Sequence, residues 1–428
     1  MTRSVDGTFA MYTLKDPAFT TRQSWLARLL LPAGVHASAL PLLIGRALRA
    51  FCDGFIAVLL PAYLLALGFG QLAVGFISSA TLTGSALATI LVGVLGNRFP
   101  QRRLLVLAAA LMAATGIGFA GLSSLWPLLL VAFVGTLNPS SGDVSVFLPL
   151  EQARLADSST SDARTALFAR YSLTGAFSAA IGALAAALPD WLTTHLGISF
   201  LSAMRAMFSF YALTGVALWF IYARLPELHP ETVSATVPLG PSRRIVTRLA
   251  LLFSVDAFAG GLVVNSLLAL WLMQRFGLSP GIAGQFFFWA GLLTAGSQLV
   301  AVPLARKFGL LNTMVFTHIP SSLCLIGAAF STSLMATLAL LLVRSALSQM
   351  DVPTRTAYVM AVVTPPERPA AASLTAVPRS LASALSPTLA GALLAMGWVG
   401  APLVACGLLK ITYDLALLRA FRHIKPAD

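Results

Sequence analysis

Charged residues are scarce in this chain: they make up 10% of its 428 residues, whereas an ordinary soluble domain contains about 25%. Hydrophobic residues account for 57% of the sequence, more than the core of a soluble protein of this length requires. The apolar runs are about 20 residues long, which is too long for the alternating strands of a membrane barrel. The composition therefore excludes a soluble globular protein and predicts an all-α integral membrane protein.

Cysteine and the motifs of enzyme chemistry are also rare. Three cysteines, Cys52, Cys324 and Cys406, lie far apart inside apolar runs, which predicts buried thiols. The sequence has no glycine-rich phosphate loop, no His-Glu-x-x-His and no His/Cys cluster. We therefore expect no enzyme activity, no metal, no cofactor and no ATP-driven pumping by this chain.

Acidic residues are outnumbered, since 15 Asp and Glu face 28 Lys and Arg, a net charge of +13 at pH 7. The basic residues lie between apolar runs, as charges that set membrane topology do, and this argues against nucleic acid as a partner. By the positive-inside rule, their distribution predicts that both termini are cytoplasmic. We expect a multi-pass monomer in the inner (plasma) membrane.

Twelve apolar spans are predicted. Their ranges are 43–68, 72–96, 103–123, 126–150, 165–188, 198–223, 247–275, 279–305, 311–331, 334–363, 370–395 and 398–420. The longest polar connection is proline-rich, which is typical of a linker. The predicted domains are an N-terminal tail (1–41), a six-helix bundle (42–223), a cytoplasmic linker (224–247), a second six-helix bundle (248–422) and a C-terminal tail (423–428).

The two halves repeat. Four pairs of matching residues recur at a nearly constant offset: Asp53 and Asp256 (203 residues), Phe99 and Phe308 (209), Asp143 and Asp351 (208), and Ser172 and Ser380 (208). A constant offset is what a duplicated six-helix unit produces, and parallel repeats of this kind build one class of transporter.

The connection between spans two and three carries a recognisable motif, GVLGNRFPQRR at residues 93–103. It resembles the signature of the major facilitator superfamily, G-x-L-A-D-R-x-G-R-R, with Gly93, Leu95, Arg98 and Arg102 matching and Asn97 in place of the usual Asp. LARKFG, from Leu304, is similar to the weaker second copy. The resemblance implies twelve transmembrane helices in two pseudo-symmetric six-helix bundles, and secondary active transport by alternating access.

The same loop is a candidate conformational latch, formed by Gly93, Asn97, Arg98 and Arg102. Arginines four residues apart at a helix end can bond the last helix carbonyls and a facing acid. Simple topogenic charge is the alternative interpretation of this loop.

Acidic residues inside spans are the candidates for proton coupling: Asp53, Asp143 and Asp256. A carboxylate in hydrocarbon costs a few kcal/mol, roughly, on insertion scales, so a repeated one indicates a role. The resemblance implies that spans one, four, seven and ten line the central cavity. A static pair between Asp53 and Arg49, one helical turn away, is the alternative.

The candidates for the substrate cavity are Arg344, Asn138, Gln285 and Trp289. Arg344 has no acid within four residues, so it requires a partner across the cavity, such as Asp143, or an anionic substrate. An arginine that snorkels to the surface is the alternative. The aromatic side chains near Gln285 could equally face lipid.

Three functions remain open. The first is proton-coupled export, by antiport, of small amphipathic organic molecules. The second is proton-coupled import or facilitated passage of a polar or anionic metabolite. It is favoured by Arg344 and by the absence from span five of the Gly-Pro-x-x-x-Gly pattern found in antiporters of this superfamily. The third is a non-transporting membrane sensor or assembly subunit. The expected partners are a small-molecule substrate, protons and the lipid bilayer.

Overall fold

Membrane spans fold as helices because a bilayer offers the backbone no water to bond. The computed structural model of the protein describes residues 31–32, 34–95, 99–140, 145–227 and 239–423. In these ranges the first half contains eight α-helices: α1 Leu40–Ala66, α2 Gln71–Leu95, α3 Gln101–Gly121, α4 Leu125–Val134, α5 Phe147–Asp157, α6 Ser161–Leu184, α7 Leu188–Leu196 and α8 Phe200–Ala223.

The second half contains another eight: α9 Arg243–Gly261, α10 Asn265–Phe276, α11 Pro280–Phe308, α12 Leu310–Phe330, α13 Leu334–Leu347, α14 Asp351–Val362, α15 Arg368–Ala395 and α16 Ala401–Phe421. Short 3-10 helices occur at Ala37–Ala39, Ala185–Ala187 and Pro365–Glu367. The predicted all-α class is confirmed. The exact domain boundaries stay a prediction, and residues 228–238 of the linker lie outside the described ranges.

Ten helical stretches of the described chain are long and apolar enough to cross a membrane. The predicted spans four and eleven are the two that are not among them. Span four consists of two short helices, α4 and α5, and span eleven is α15, a long helix that contains Arg368 and Arg379. With these two, the helices follow the twelve predicted spans in order.

Spans four, seven and ten are each broken, whereas the sequence predicted continuous spans at 126–150, 247–275 and 334–363. In span four the break contains Asn138-Pro139, and proline disfavours the helical conformation of the residue before it. Span seven stops after Gly260-Gly261. Span ten stops at Leu347 and resumes at Asp351. These interruptions could not be predicted from the spacing of apolar residues, which continues across them.

Two of these breaks meet where the halves touch. The backbone amide of Ser266, at the start of α10, donates to the carbonyl oxygen of Pro139 at 3.0 Å. The Ser266 hydroxyl also lies 3.2 Å from the hydroxyl of Ser78 on α2. Backbone groups released by one broken span are thus satisfied by the other half, as irregular backbone at membrane depth requires.

Small residues bring the halves close together on one side of the molecule. We call the side where α8 ends and α9 begins the linker face, and the other side the opposite face. Near the opposite face, a Cβ on Gly75 of α2 would overlap the Pro387 carbonyl of α15, and the Thr388 hydroxyl lies 2.8 Å from that of Ser79. A Cβ on Gly284 of α11 would likewise overlap the carbonyl of Ala183. The halves are therefore tightly packed near the opposite face.

Candidate functional site

Helix α1 carries three ionisable side chains on one face. Arg46, Arg49 and Asp53 are spaced at i, i+3 and i+7, so they lie along one side of the helix. All three side chains are buried, with exposed fractions of 7%, 3% and 8%. Of the ten stretches that could span a membrane, the one that contains α1 is the most deeply buried. A polar stripe therefore runs into the interior of the first half.

Arg49 forms an ion pair with Glu151 of α5. The alternative interpretation of the sequence had paired Arg49 with Asp53 instead. The carboxylate of Glu151 is fully buried. It also accepts hydrogen bonds from the hydroxyls of Tyr171 on α6 and Tyr222 on α8. One carboxylate thus joins spans one, four, five and six. The sequence analysis did not select Glu151, although an acid in span four was visible.

Asp53 lies next to this ion pair, in a different setting. The side chain of Asn138, at the break of span four, hydrogen-bonds the Asp53 carboxylate, and Arg49 and Arg46 are its nearest cations. The carboxylate lies on a narrow crevice; the residues that line it are Arg49, Asp53, Met112, Thr136, Ser145, Phe147 and Tyr211. The structure therefore brings together two of the predicted site residues, Asp53 and Asn138.

Asp256 of α9 occupies the matching position in the second half, because each aspartate lies 13 residues after the first residue of its helix. Its surroundings are different, since one carboxylate oxygen lies 2.7 Å from Nζ of Lys410 and the other 3.1 Å from a guanidinium nitrogen of Arg355. The same nitrogen of Arg355 lies 3.1 Å from Asp351. Asp256 is thus a fully paired anion.

His318 completes this cluster, and the sequence analysis missed it. The ring is 2% exposed, and its Nδ1 lies 3.1 Å from both carboxylate oxygens of Asp414. Its Nε2 lies 3.2 Å from Nζ of Lys410. Lys410 and Asp414 sit one turn apart on α16, and each has a partner on another helix. A histidine inside an apolar run was the only available signal.

The other substrate-cavity candidates are dispersed. Gln285 and Trp289 lie one turn apart on an exposed face of α11. Arg344 lies on α13, one turn before the break of span ten, and is partly buried. Within the described residues no carboxylate oxygen lies within 4.0 Å of its guanidinium group, although its backbone carbonyl accepts from Ser321 at 3.3 Å. These residues do not converge with Asp53 into one cluster of contacts.

Several predicted residues lie outside the described ranges, namely Asn97, Arg98 and Asp143, so their roles stay predictions. Of the candidate latch, Gly93 is exposed on α2 and Arg102 lies on α3. Arg102 lies 3.6 Å from Glu227 at the start of the linker, and both side chains are at least one third exposed. An exposed pair of this kind contributes at most about 1 kcal/mol to stability.

A profile of the Major Facilitator Superfamily matches residues 42–343 and 249–427. The chain belongs to this superfamily. It is therefore a secondary transporter and a multi-pass membrane protein, and members of the superfamily act on small molecules. The fold that the sequence motif implied is confirmed.

Several proteins are similar to this chain, and those with solved structures share its fold. It is 24% identical over 410 residues to an uncharacterized membrane protein of Saccharomyces cerevisiae, YJR124C, covering 87% of this chain and 92% of the relative. The crystal structure of a mutant of the nucleoside transporter NupG superposes with a TM-score of 0.72 at 13% identity, covering 90% of this chain and all of that one.

Two further solved structures are similar. A bacterial homologue of the human lysosomal transporter Spinster, inward-facing and occupied, has a TM-score of 0.69 at 15% identity, with 89% and 94% of the two chains covered. A D-xylose–proton symporter has a TM-score of 0.68 at 17% identity, with 89% and 96% covered. The names of these structures include a nucleoside transporter and a D-xylose–proton symporter, so the shared fold does not determine the substrate.

Proposed function

We propose that this protein is a proton-coupled transporter in which Asp53 binds the coupled proton. The supporting observation is the difference between the two repeated aspartates. Asp256 is held at 2.7 and 3.1 Å by Lys410 and Arg355, an arrangement that requires it to stay ionised. Asp53 lies on a crevice beside the neutral amide of Asn138, and of its two neighbouring arginines Arg49 is paired with Glu151. A buried carboxylate with a neutral hydrogen-bond partner is suited to bind and release a proton.

The direction we propose is export, by antiport, of small amphipathic organic molecules. Met112, Phe147 and Tyr211 line the crevice at Asp53 together with polar groups, so apolar side chains lie next to the carboxylate. The distribution of basic residues supports a cytoplasmic linker face in a plasma-membrane protein. The tight packing at the opposite face then corresponds to an inward-facing state, from which such a molecule would be loaded. We expect the transporter to work as a monomer.

The test replaces Asp53 with Asn in protein reconstituted into proteoliposomes, with the amphipathic cation ethidium as the probe. We expect D53N to lose transport driven by a pH gradient and to keep ethidium counterflow, because the amide preserves shape but cannot titrate. The exposed residue Asp157, at the end of α5, supplies the matched control D157N. Gradient-driven transport of normal rate in D53N would refute the assignment.

A second candidate function is import of an anionic metabolite, which one observation favours. Arg344 is partly buried in span ten, and within the described residues it has no carboxylate within 4.0 Å. A guanidinium group at membrane depth is costly without an anion. Accumulation of an organic anion that is lost in R344A and kept in R275A would favour import over export. Measured turnover of either solute would exclude a non-transporting sensor or assembly subunit.

A further inference from the structure

The imidazole of His318 is held between an acid and a base on the same neighbouring helix. Its Nδ1 lies 3.1 Å from both carboxylate oxygens of Asp414, which can only accept a hydrogen bond when ionised. Its Nε2 lies 3.2 Å from Nζ of Lys410, and an ammonium group can only donate. These partners assign the hydrogen to Nδ1 and the lone pair to Nε2. The ring is therefore neutral in this arrangement.

The ammonium group of Lys410 is shared between the ring and an acid. It donates to Oδ1 of Asp256 at 2.7 Å, while Nε2 of His318 lies 3.9 Å from the same oxygen. A proton added to Nε2 would direct an N–H group at the ammonium group, with 3.2 Å between two positively charged donors. An imidazolium at His318 and an ammonium group at this position cannot both be kept.

We propose that His318, Lys410 and Asp256 form a proton-binding exchange site. A proton from solution binds the lone pair of Nε2, Lys410 moves as an intact ammonium group toward the neighbouring carboxylate of Asp351, and the new Nε2–H replaces it as the donor to Asp256. Only hydrogen bonds break, and the charge of the cluster rises by one proton. As a second coupling site the triad rests on the proposed function, whereas the exchange of partners does not.

Two of the other ionisable groups around His318 and Asp256 keep their partners through the exchange. Asp414 and Tyr413 on α16 contact the ring, and Asp256 on α9 lies 3.9 Å from it. Asp351 and Arg355 on α14 and Arg379 on α15 lie around Asp256, and Cys406 on α16 lies near Lys410. Asp414 keeps the Nδ1–H donor in both states. Arg355 holds the other oxygen of Asp256 at 3.1 Å, and Asp351 at 3.1 Å.

The exchange changes which spans are joined. Before proton uptake, Lys410 links span twelve to Asp256 in span seven, and His318 reaches that acid only through Lys410. After proton uptake, His318 links span nine to span seven directly, and span twelve keeps its bond to His318 through Asp414. Proton binding thus transfers one charged contact of span seven from span twelve to span nine. A helix contact that can be switched in this way can bias two conformers of similar energy.

The experiment records nitrogen NMR spectra of the full-length protein in lipid nanodiscs, with ¹⁵N in the histidine rings and in the lysine Nζ atoms. The variants H318Q and K410Q assign the two signals. At about pH 8 we expect the Nδ1–H form of His318. On acidification to about pH 5, we expect the ring and Lys410 signals to change over the same interval. In H318Q, whose amide can make both hydrogen bonds but cannot titrate, the Lys410 signal should stay constant.

Each alternative outcome refutes the exchange. These outcomes are an Nε2–H form at about pH 8, no protonation of the ring down to about pH 5, or a Lys410 signal that does not change while the ring is protonated. The exposed residue His195, on α7, supplies the control H195Q, which should leave both signals unchanged. The spectra require no substrate, and D53N should retain the response. Failure of the Asp53 assignment is therefore distinguishable from failure of the exchange site.

Discussion

The carboxylate of Glu151 joins four spans of the first half. Replacing Glu151 with Gln tests whether this carboxylate holds the four spans together. The side chain is fully buried and accepts from Arg49, Tyr171 and Tyr222. Gln preserves the shape but carries no charge, so Arg49, 3% exposed, would be left as a buried cation without its ion-pair partner. Removing one partner of a buried pair costs about 3–5 kcal/mol.

Thermal unfolding of the purified protein measures this loss. A change of 1 kcal/mol shifts the midpoint by roughly 2–4 °C in a domain of a few hundred residues, so E151Q should lower it by at least about 6 °C. The control is E227Q, which removes the exposed partner of Arg102 at 3.6 Å and should cost at most about 1 kcal/mol.

The double variant R49M/E151Q separates the two contributions of this pair. It removes the buried cation together with its counter-charge, so it should be more stable than E151Q alone. Equal midpoints for E151Q and E227Q, or no recovery in the double variant, would refute the assignment of Glu151 as the structural centre of the first half.

Two further predictions concern the packing of the halves and the linker. Replacing Gly75 with Leu should prevent α2 from reaching α15 and open the opposite face, measured as labelling of a cysteine introduced at Ser79; the control G296L lies in open space on α11, and unchanged labelling would contradict the prediction. Hydrogen bonds from Ser242, Gly240 and Thr364 lower the pKa of Glu367 to about 2. Because the folded value lies below the unfolded one of about 4.3, the docking of the linker end is fully present above that pH and is lost as the pH falls through about 2. Protection of the Gly240 and Ser242 amides from hydrogen exchange should then be constant between about pH 5 and 8 and weaker in E367Q; a loss of protection near neutral pH would be inconsistent with it.

Properties that depend on neighbouring residues in the chain were predictable. The lengths of the apolar runs, the basic residues between them and the motif from Gly93 to Arg103 predicted the helical class, the order of the spans and the superfamily. These signals are local, because crossing a bilayer requires about 20 apolar residues whatever the rest of the chain does. The proline after Asn138 was also visible, although its effect on span four was not predicted.

Partners across the fold were decided by the tertiary structure. Arg49 and Asp53 are four residues apart, yet Arg49 pairs with Glu151, 102 residues away. Lys410 and Asp414 share one turn, yet they reach Asp256 and His318 on other spans. A buried charge binds the counter-charge that helix packing places nearest in space, where low dielectric strengthens the attraction. The sequence by itself determined that Asp53 and Asp256 repeat; only the packing of the spans around them determined that Asn138 lies beside one and that Lys410 and Arg355 pair with the other.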